Sequence, residues 1–179
     1  PPAAAAATLA DAFAGAGTAL GAESGEIAWV ADSSWTQNGQ AVCDGTGNAL
    51  ATVDCASGDG AITADLISTG SGIVVRADAA HANAILFAPS GSQVGCWRMT
   101  AGAFHAQALT TAADHYWAAG NKVTVTCQGE KIYVYDETTS ELLATFLDTD
   151  ATSQARTQHG LFGNTAASHF DNFAYAPLA

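Results

Sequence analysis

"NKVTVTCQGEKIYVYDETTSELLATFL", residues 121–147, alternates apolar and polar residues in two runs joined by Gly129 and Glu130. A period of two is that of a strand with one buried face. Two residues with glycine first, set between such runs, read as a tight hairpin. Val123, Val125 and Cys127 then share one face. The second run turns through Thr138, Thr139 and Ser140 into a third, "ELLATFL". Three successive antiparallel strands make a meander, and the rest of the chain has to build on it.

Working outward, the same kind of run recurs at "GAITADLIS" (60–68), "GIVVRAD" (72–78), "NAILFAP" (83–89), "SQVGCWRM" (92–99) and "RTQHGLFG" (156–163). Gly, Asn, Asp, Ser and Pro clusters separate these runs. The best helical candidate, "TAADHYWAAG" (111–120), is short and broken by Gly120. About a dozen short strands without room for crossover helices predict an all-β antiparallel two-sheet sandwich with little helix. The segment from Thr100 to Gly120 is the one long irregular piece, expected to be a binding loop or a flap over one sheet.

A chain of 179 residues, 49% hydrophobic, suits one core. Residues 1–7 read as a low-complexity Pro/Ala arm, expected to lie against the domain or a neighbouring chain, and residues 8–179 as the domain. No stretch of about eighteen residues is uninterruptedly apolar, so no membrane span is expected. The balance of 5 Lys+Arg against 17 Asp+Glu gives a net charge of -12, which sets nucleic acid aside as a partner. With only 12% charged residues, the surface is mostly neutral and polar, suited to hydroxylated ligands or to protein neighbours.

Cys43, Cys55, Cys96 and Cys127 contain no C-x-x-C pair, which excludes zinc-ribbon and thioredoxin readings. Two disulfides, with Cys96 and Cys127 as neighbours in one sheet and Cys43 with Cys55 across a turn, stand beside four buried free thiols. The five histidines lack the i, i+2 or i, i+4 spacing of a zinc site. Glu23 and Glu26 in "GAESGEIAW" are the nearest approach to a paired-carboxylate glycosidase site, yet their spacing puts them on opposite strand faces. Asp136, Glu137 and Glu141 are divided by a turn, so no catalytic residue is assigned.

For sugar binding, aromatic faces beside amides are the chemistry to find. His115, Tyr116 and Trp117 next to Asn121 form the densest aromatic cluster. Trp35, in "SSWTQNGQ", is a rival platform, and Tyr133 and Tyr135 share one strand face.

Four phrases in order, "DAFAGAGTALGAESGEIAWV" (11–30), "ITADLIS" with "GIVVRAD", the meander, and the closing "HGLFGNTAASHFDNFAYAP" (159–177), resemble the concanavalin A-like or laminin G-like jelly roll. The resemblance runs from about Ala7 to Leu178. It is to domains of the kind found in bacteriophage virion proteins and in bacterial carbohydrate-binding modules. It implies that the last strand lies beside the first, which would make partners of Asp11-x-Phe13 and Asp171-x-Phe173. Phe13 and Phe173 are then core anchors, and the resemblance implies a core position for Trp117 as well. Asp11 and Asp171 would be brought together, holding either a calcium ion or local backbone amides.

The resemblance further implies a non-catalytic virion domain, a capsid-decoration or tail-associated protein on the virion surface. Its partners would be other virion proteins, copies of itself and host cell-surface polysaccharide. The alternative it implies is a secreted bacterial carbohydrate-binding module; a glycan-cleaving enzyme ranks third.

Overall fold

The computed structural model describes residues 9–21, 27–31, 34–45, 47–164 and 168–178. The Pro/Ala arm and the Glu23/Glu26 pair lie outside them. The strands are β1 (Leu9–Asp11), β2 (Ala16–Ala19), β3 (Val30–Ala31), β4 (Trp35–Asn38), β5 (Ala41–Cys43), β6 (Ala49–Asp54), β7 (Gly60–Leu66), β8 (Ser71–Ala77) and β9 (Ala84–Ser90). They continue with β10 (Gln93–Thr100), β11 (Ala103–Gln107), β12 (Thr111–Ala112), β13 (Asn121–Gln128), β14 (Lys131–Asp136), β15 (Glu141–Leu147), β16 (Gln158–Gly163) and β17 (Ser168–Ala176). One short helix, α1 (Ala151–Gln154), is N-capped by Asp150, whose side chain accepts from the Thr152 amide.

Two antiparallel sheets result. One runs β12-β15-β14-β13-β7-β17-β5-β4-β2, with β1 also on β17, and the other β11-β10-β9-β8-β16-β6-β3. The meander is β13-β14-β15, and Gln128 pairs with Lys131 across a two-residue turn in which Gly129 has φ +54°. That left-handed value is why glycine stands first in the turn. Val123, Val125 and Cys127 face the core between the sheets, where they meet Ile73, Val75, Ile85 and Phe87 of the opposing layer.

β17 closes the sandwich: it pairs with β7 on one side and with both β5 and β1 on the other. Phe13 and Phe173 are fully buried, each worth roughly 1.5–3 kcal/mol of burial. The register, however, sets Asp11 opposite Phe173. Two antiparallel copies of one D-x-F phrase align the Asp of one with the Phe of the other, so the carboxylates are not brought head to head as the sequence reading supposed. Asp171 instead pairs across β7 with Asp65.

Two further expectations need correction. The segment 100–120 is not one irregular flap: β11 edges the seven-stranded sheet and β12 edges the ten-stranded sheet, so the segment crosses between layers. Cys96 and Cys127 are not neighbours in one sheet, because β10 and β13 belong to opposite sheets. All four cysteines are buried thiols outside any disulfide, the second of the two readings of the sequence. Burial pushes the Cys55 and Cys127 thiols up to about 12.

One end of the sandwich is tied by Arg76, which is wholly buried at a left-handed bulge of β8, φ +51°. Its Nη1 donates to Asp148 Oδ2 at 2.8 Å, its Nη2 to Asp59 Oδ1 at 2.9 Å, and its Nε to the Gly58 carbonyl at 3.2 Å. Arg98 Nη2 reaches the other oxygen of Asp148 at 2.6 Å. The buried charges are paired and hydrogen-bonded, the condition under which burial is tolerated.

Candidate functional site

β8, β9 and β16 are buried almost throughout, on both faces, although a two-layer sandwich covers only one. The outer face of the seven-stranded sheet carries its own apolar cluster. Leu50, Val74, Leu86, Met99 and Phe162 are buried there, with Trp97 and Phe104 half-buried beside them. Phe104 stands on β11 and Phe162 on β16, four strand spacings apart. In a flat sheet that is about 19 Å, yet their ring centroids lie 6.2 Å apart. Rings of this reach meet only if the sheet curls toward them, so the outer face is concave.

Glycines shape this concavity. A Cβ at Gly95 would lie 2.7 Å from Trp97 Cζ3, so the indole covers the residue two before it on the same strand. A Cβ at Gly72 would lie 3.1 Å from Phe162 Cδ1, so that ring rests over β8. The two aromatics can lie along the sheet because their neighbours have no side chains.

The hollow has a volume of about 200 Å³ and is lined by Asn48, Trp97, Phe104, Phe162 and Asn164. Its polar groups follow from strand alternation. Gly163 pairs with Ala49, and one further step of that register sets Asn164 against Asn48, on the same side as Phe162 and Leu50. Asn164 Oδ1 is buried and has no hydrogen-bond partner among the described residues. Farther along the face, the Thr52 hydroxyl donates to Gln158 Oε1 at 3.1 Å and sits 2.8 Å from His81 Nε2. With its one proton spent on Gln158, the hydroxyl accepts from His81, which places a hydrogen on Nε2.

The residues singled out from sequence are dispersed. Trp35 and Trp117 are each about 1% exposed and belong to the core, so neither is a platform for a ligand. His115 is exposed and bonds Glu141 Oε2 at 2.9 Å through Nε2, while Tyr116 packs against the core margin. Asn121 Nδ2 donates to Asp136 Oδ2, and Asp136 Oδ1 accepts from the Thr138 and Thr139 amides. Asp136 thus organises the β14-β15 turn. Tyr133 and Tyr135, half-buried on the outer face of the ten-stranded sheet, stack on each other with centroids 6.3 Å apart. Asp11 Oδ1 accepts from the Phe13 amide and Oδ2 from the Trp29 indole, both at 2.8 Å. Asp171 Oδ1 accepts from the Asn172 amide at 2.8 Å.

Sequence reasoning missed Trp97, Phe104, Phe162, Asn48 and Asn164. The available signal was a glycine two residues before an aromatic, Gly95 with Trp97.

No family model matches the chain, and no curated protein matches it. Among solved structures it is similar to the carbohydrate-binding module CBM66 from Bacillus subtilis, with a TM-score of 0.60 and 12% identity over 85% of this chain and 94% of that one. It is also similar to a mutant of the GH43 protein BlXynB from Bacillus licheniformis, with a TM-score of 0.54 and 16% identity over 81% of this chain and 35% of that one. The fold is the concanavalin A-like jelly-roll sandwich.

Proposed function

We propose that this is a non-catalytic glycan-binding domain whose ligand lies in the concave face of the seven-stranded sheet. The observation that carries the reading is the hollow itself, with three aromatic rings and two amides, one of which, Asn164, has a buried Oδ1 without a partner among the described residues. A sugar ring has an apolar C–H face that packs on an aromatic surface and hydroxyls at its rim that bond to amides. Pockets that combine apolar walls with a few placed polar groups are the usual form of a small-molecule site. Among the described residues the lining holds no carboxylate, whereas glycoside hydrolysis canonically uses two. The similarity to a carbohydrate-binding module supports the fold on which such a site is built.

For the biological setting we infer adhesion to host polysaccharide from the surface of a bacteriophage particle, as a decoration or tail-associated protein in contact with other virion proteins and copies of itself. That setting rests on the sequence resemblance; a secreted carbohydrate-binding module would use the same face. Isothermal titration of the domain with soluble bacterial polysaccharides, alongside Trp97→Ala, tests the binding. Fractionation of the native source tests the setting: co-sedimentation with particles supports the virion, and free monomer supports the secreted module.

A further inference from the structure

We propose that the concave site selects uncharged glycans and that Asn164 sets this selection by accepting a hydroxyl proton from the bound sugar. The inference rests on the glycan-binding reading and specifies its ligand class. It starts from where the cations are. The chain has 5 Lys+Arg, and none lines the hollow. Arg76 is buried in the ion-pair node, and Arg98 is held by Asp148 and Asp150. Lys122 and Lys131 stand on β13 and β14 of the opposite sheet. Arg156 follows α1 and is not among the lining residues.

A uronate or sulfated sugar entering the hollow would therefore give up water without gaining a counter-charge. It would also approach a molecule of net charge -12. A neutral sugar meets neither obstacle. Asn164 adds a positive requirement. Its Oδ1 is buried and unpartnered, and its backbone amide is tied to the Gly70 carbonyl at 3.3 Å. Only a donor completes it, and a sugar hydroxyl is such a donor, whereas an ionised carboxylate or sulfate offers only acceptors. Sites built to bond a ligand hydroxyl discriminate strongly because the buried group is otherwise left without a partner.

The test is an array of neutral, uronate-bearing and sulfated oligosaccharides, followed by titration of the best ligand against three proteins. These are the wild-type domain, Asn164→Ala and Asn48→Lys, each checked for unchanged thermal unfolding. The proposal expects neutral ligands only, with affinity nearly constant as salt is raised. It expects a loss of about tenfold or more in Asn164→Ala. Asn48 is exposed, so Asn48→Lys keeps the fold and should gain measurable binding of uronate-bearing ligands. Preferred binding of anionic sugars by the wild type would overturn the charge selection while leaving the glycan-binding reading intact. Full affinity in Asn164→Ala would overturn the role of that residue. Absence of binding to every array member would overturn the glycan-binding reading itself.

Discussion

The indole of Trp97 occupies the space that a side chain at Gly95 would need, two residues earlier on the same strand face. A Cβ there would also lie 2.7 Å from Ser90 Cβ, so β10 offers it no other room. Gly95→Ala is expected to shift the indole, cost about 1–3 kcal/mol of stability, and reduce glycan affinity about tenfold. Near-UV circular dichroism reports the ring shift, and titration with a bound glycan reports the affinity. An unchanged tryptophan signal would show that the ring does not rest on Gly95.

The Asp148 carboxylate joins Arg76 to Arg98 inside the fold. Asp148→Ala removes the fully buried one of the two carboxylates on the Arg76 guanidinium, leaving it the half-exposed Asp59, and a loss of about 3–5 kcal/mol is expected, read as a lower midpoint in chemical denaturation. Burial by itself would raise the Asp148 carboxyl, but hydrogen bonds from Arg98 and Arg76 outweigh it and hold the group below its ordinary 3.8. A folded value below the unfolded one means that this contribution is present above about pH 4. It is lost as pH falls through the folded value.

His159 is fully buried, stacked on Tyr175 with centroids 5.8 Å apart, and its Nδ1 accepts from the Arg76 amide. Burial pulls it down from 6.5 to about 4, the hydrogen bond to the Ser57 carbonyl opposing and the Arg76 charge assisting. The unfolded chain then binds the extra proton between these two values. Stability should be complete above about pH 6.5 and decline toward pH 4, by at most about 3 kcal/mol. In His159→Gln this slope should be lost, whatever the variant's stability at neutral pH. Urea denaturation at half-unit pH intervals measures it.

The four thiols should be inert in the native state. Burial raises the thiols of Cys55, Cys96 and Cys127 far from the range in which thiolate forms at neutral pH. Reaction with a chromogenic disulfide reagent should be negligible without denaturant and reach four equivalents with it.

The fold was legible because the meander obeys a period of two and Gly129 marks its turn. The D-x-F phrases carried the closure, but not the register that sets Asp11 against Phe173. The site was less legible for a physical reason. Trp97, Phe104 and Phe162 lie in or beside runs that look like core strands, and from sequence an outward aromatic in such a strand is indistinguishable from an inward one. Trp35, set among polar residues, looked exposed and is buried by tertiary contacts that local sequence does not report. Asn48 and Asn164 lie far apart in the sequence and face each other only through the β6-β16 register.

The most direct measurement is glycan affinity in two variants of the same domain, Trp97→Ala in the concave face and the double variant Tyr133→Ala/Tyr135→Ala on the opposite sheet. The concave-face account predicts a loss of about 2 kcal/mol in the first and wild-type affinity in the second. Unchanged binding in Trp97→Ala, with loss in the tyrosine pair, would contradict it and move the site to the other face of the sandwich.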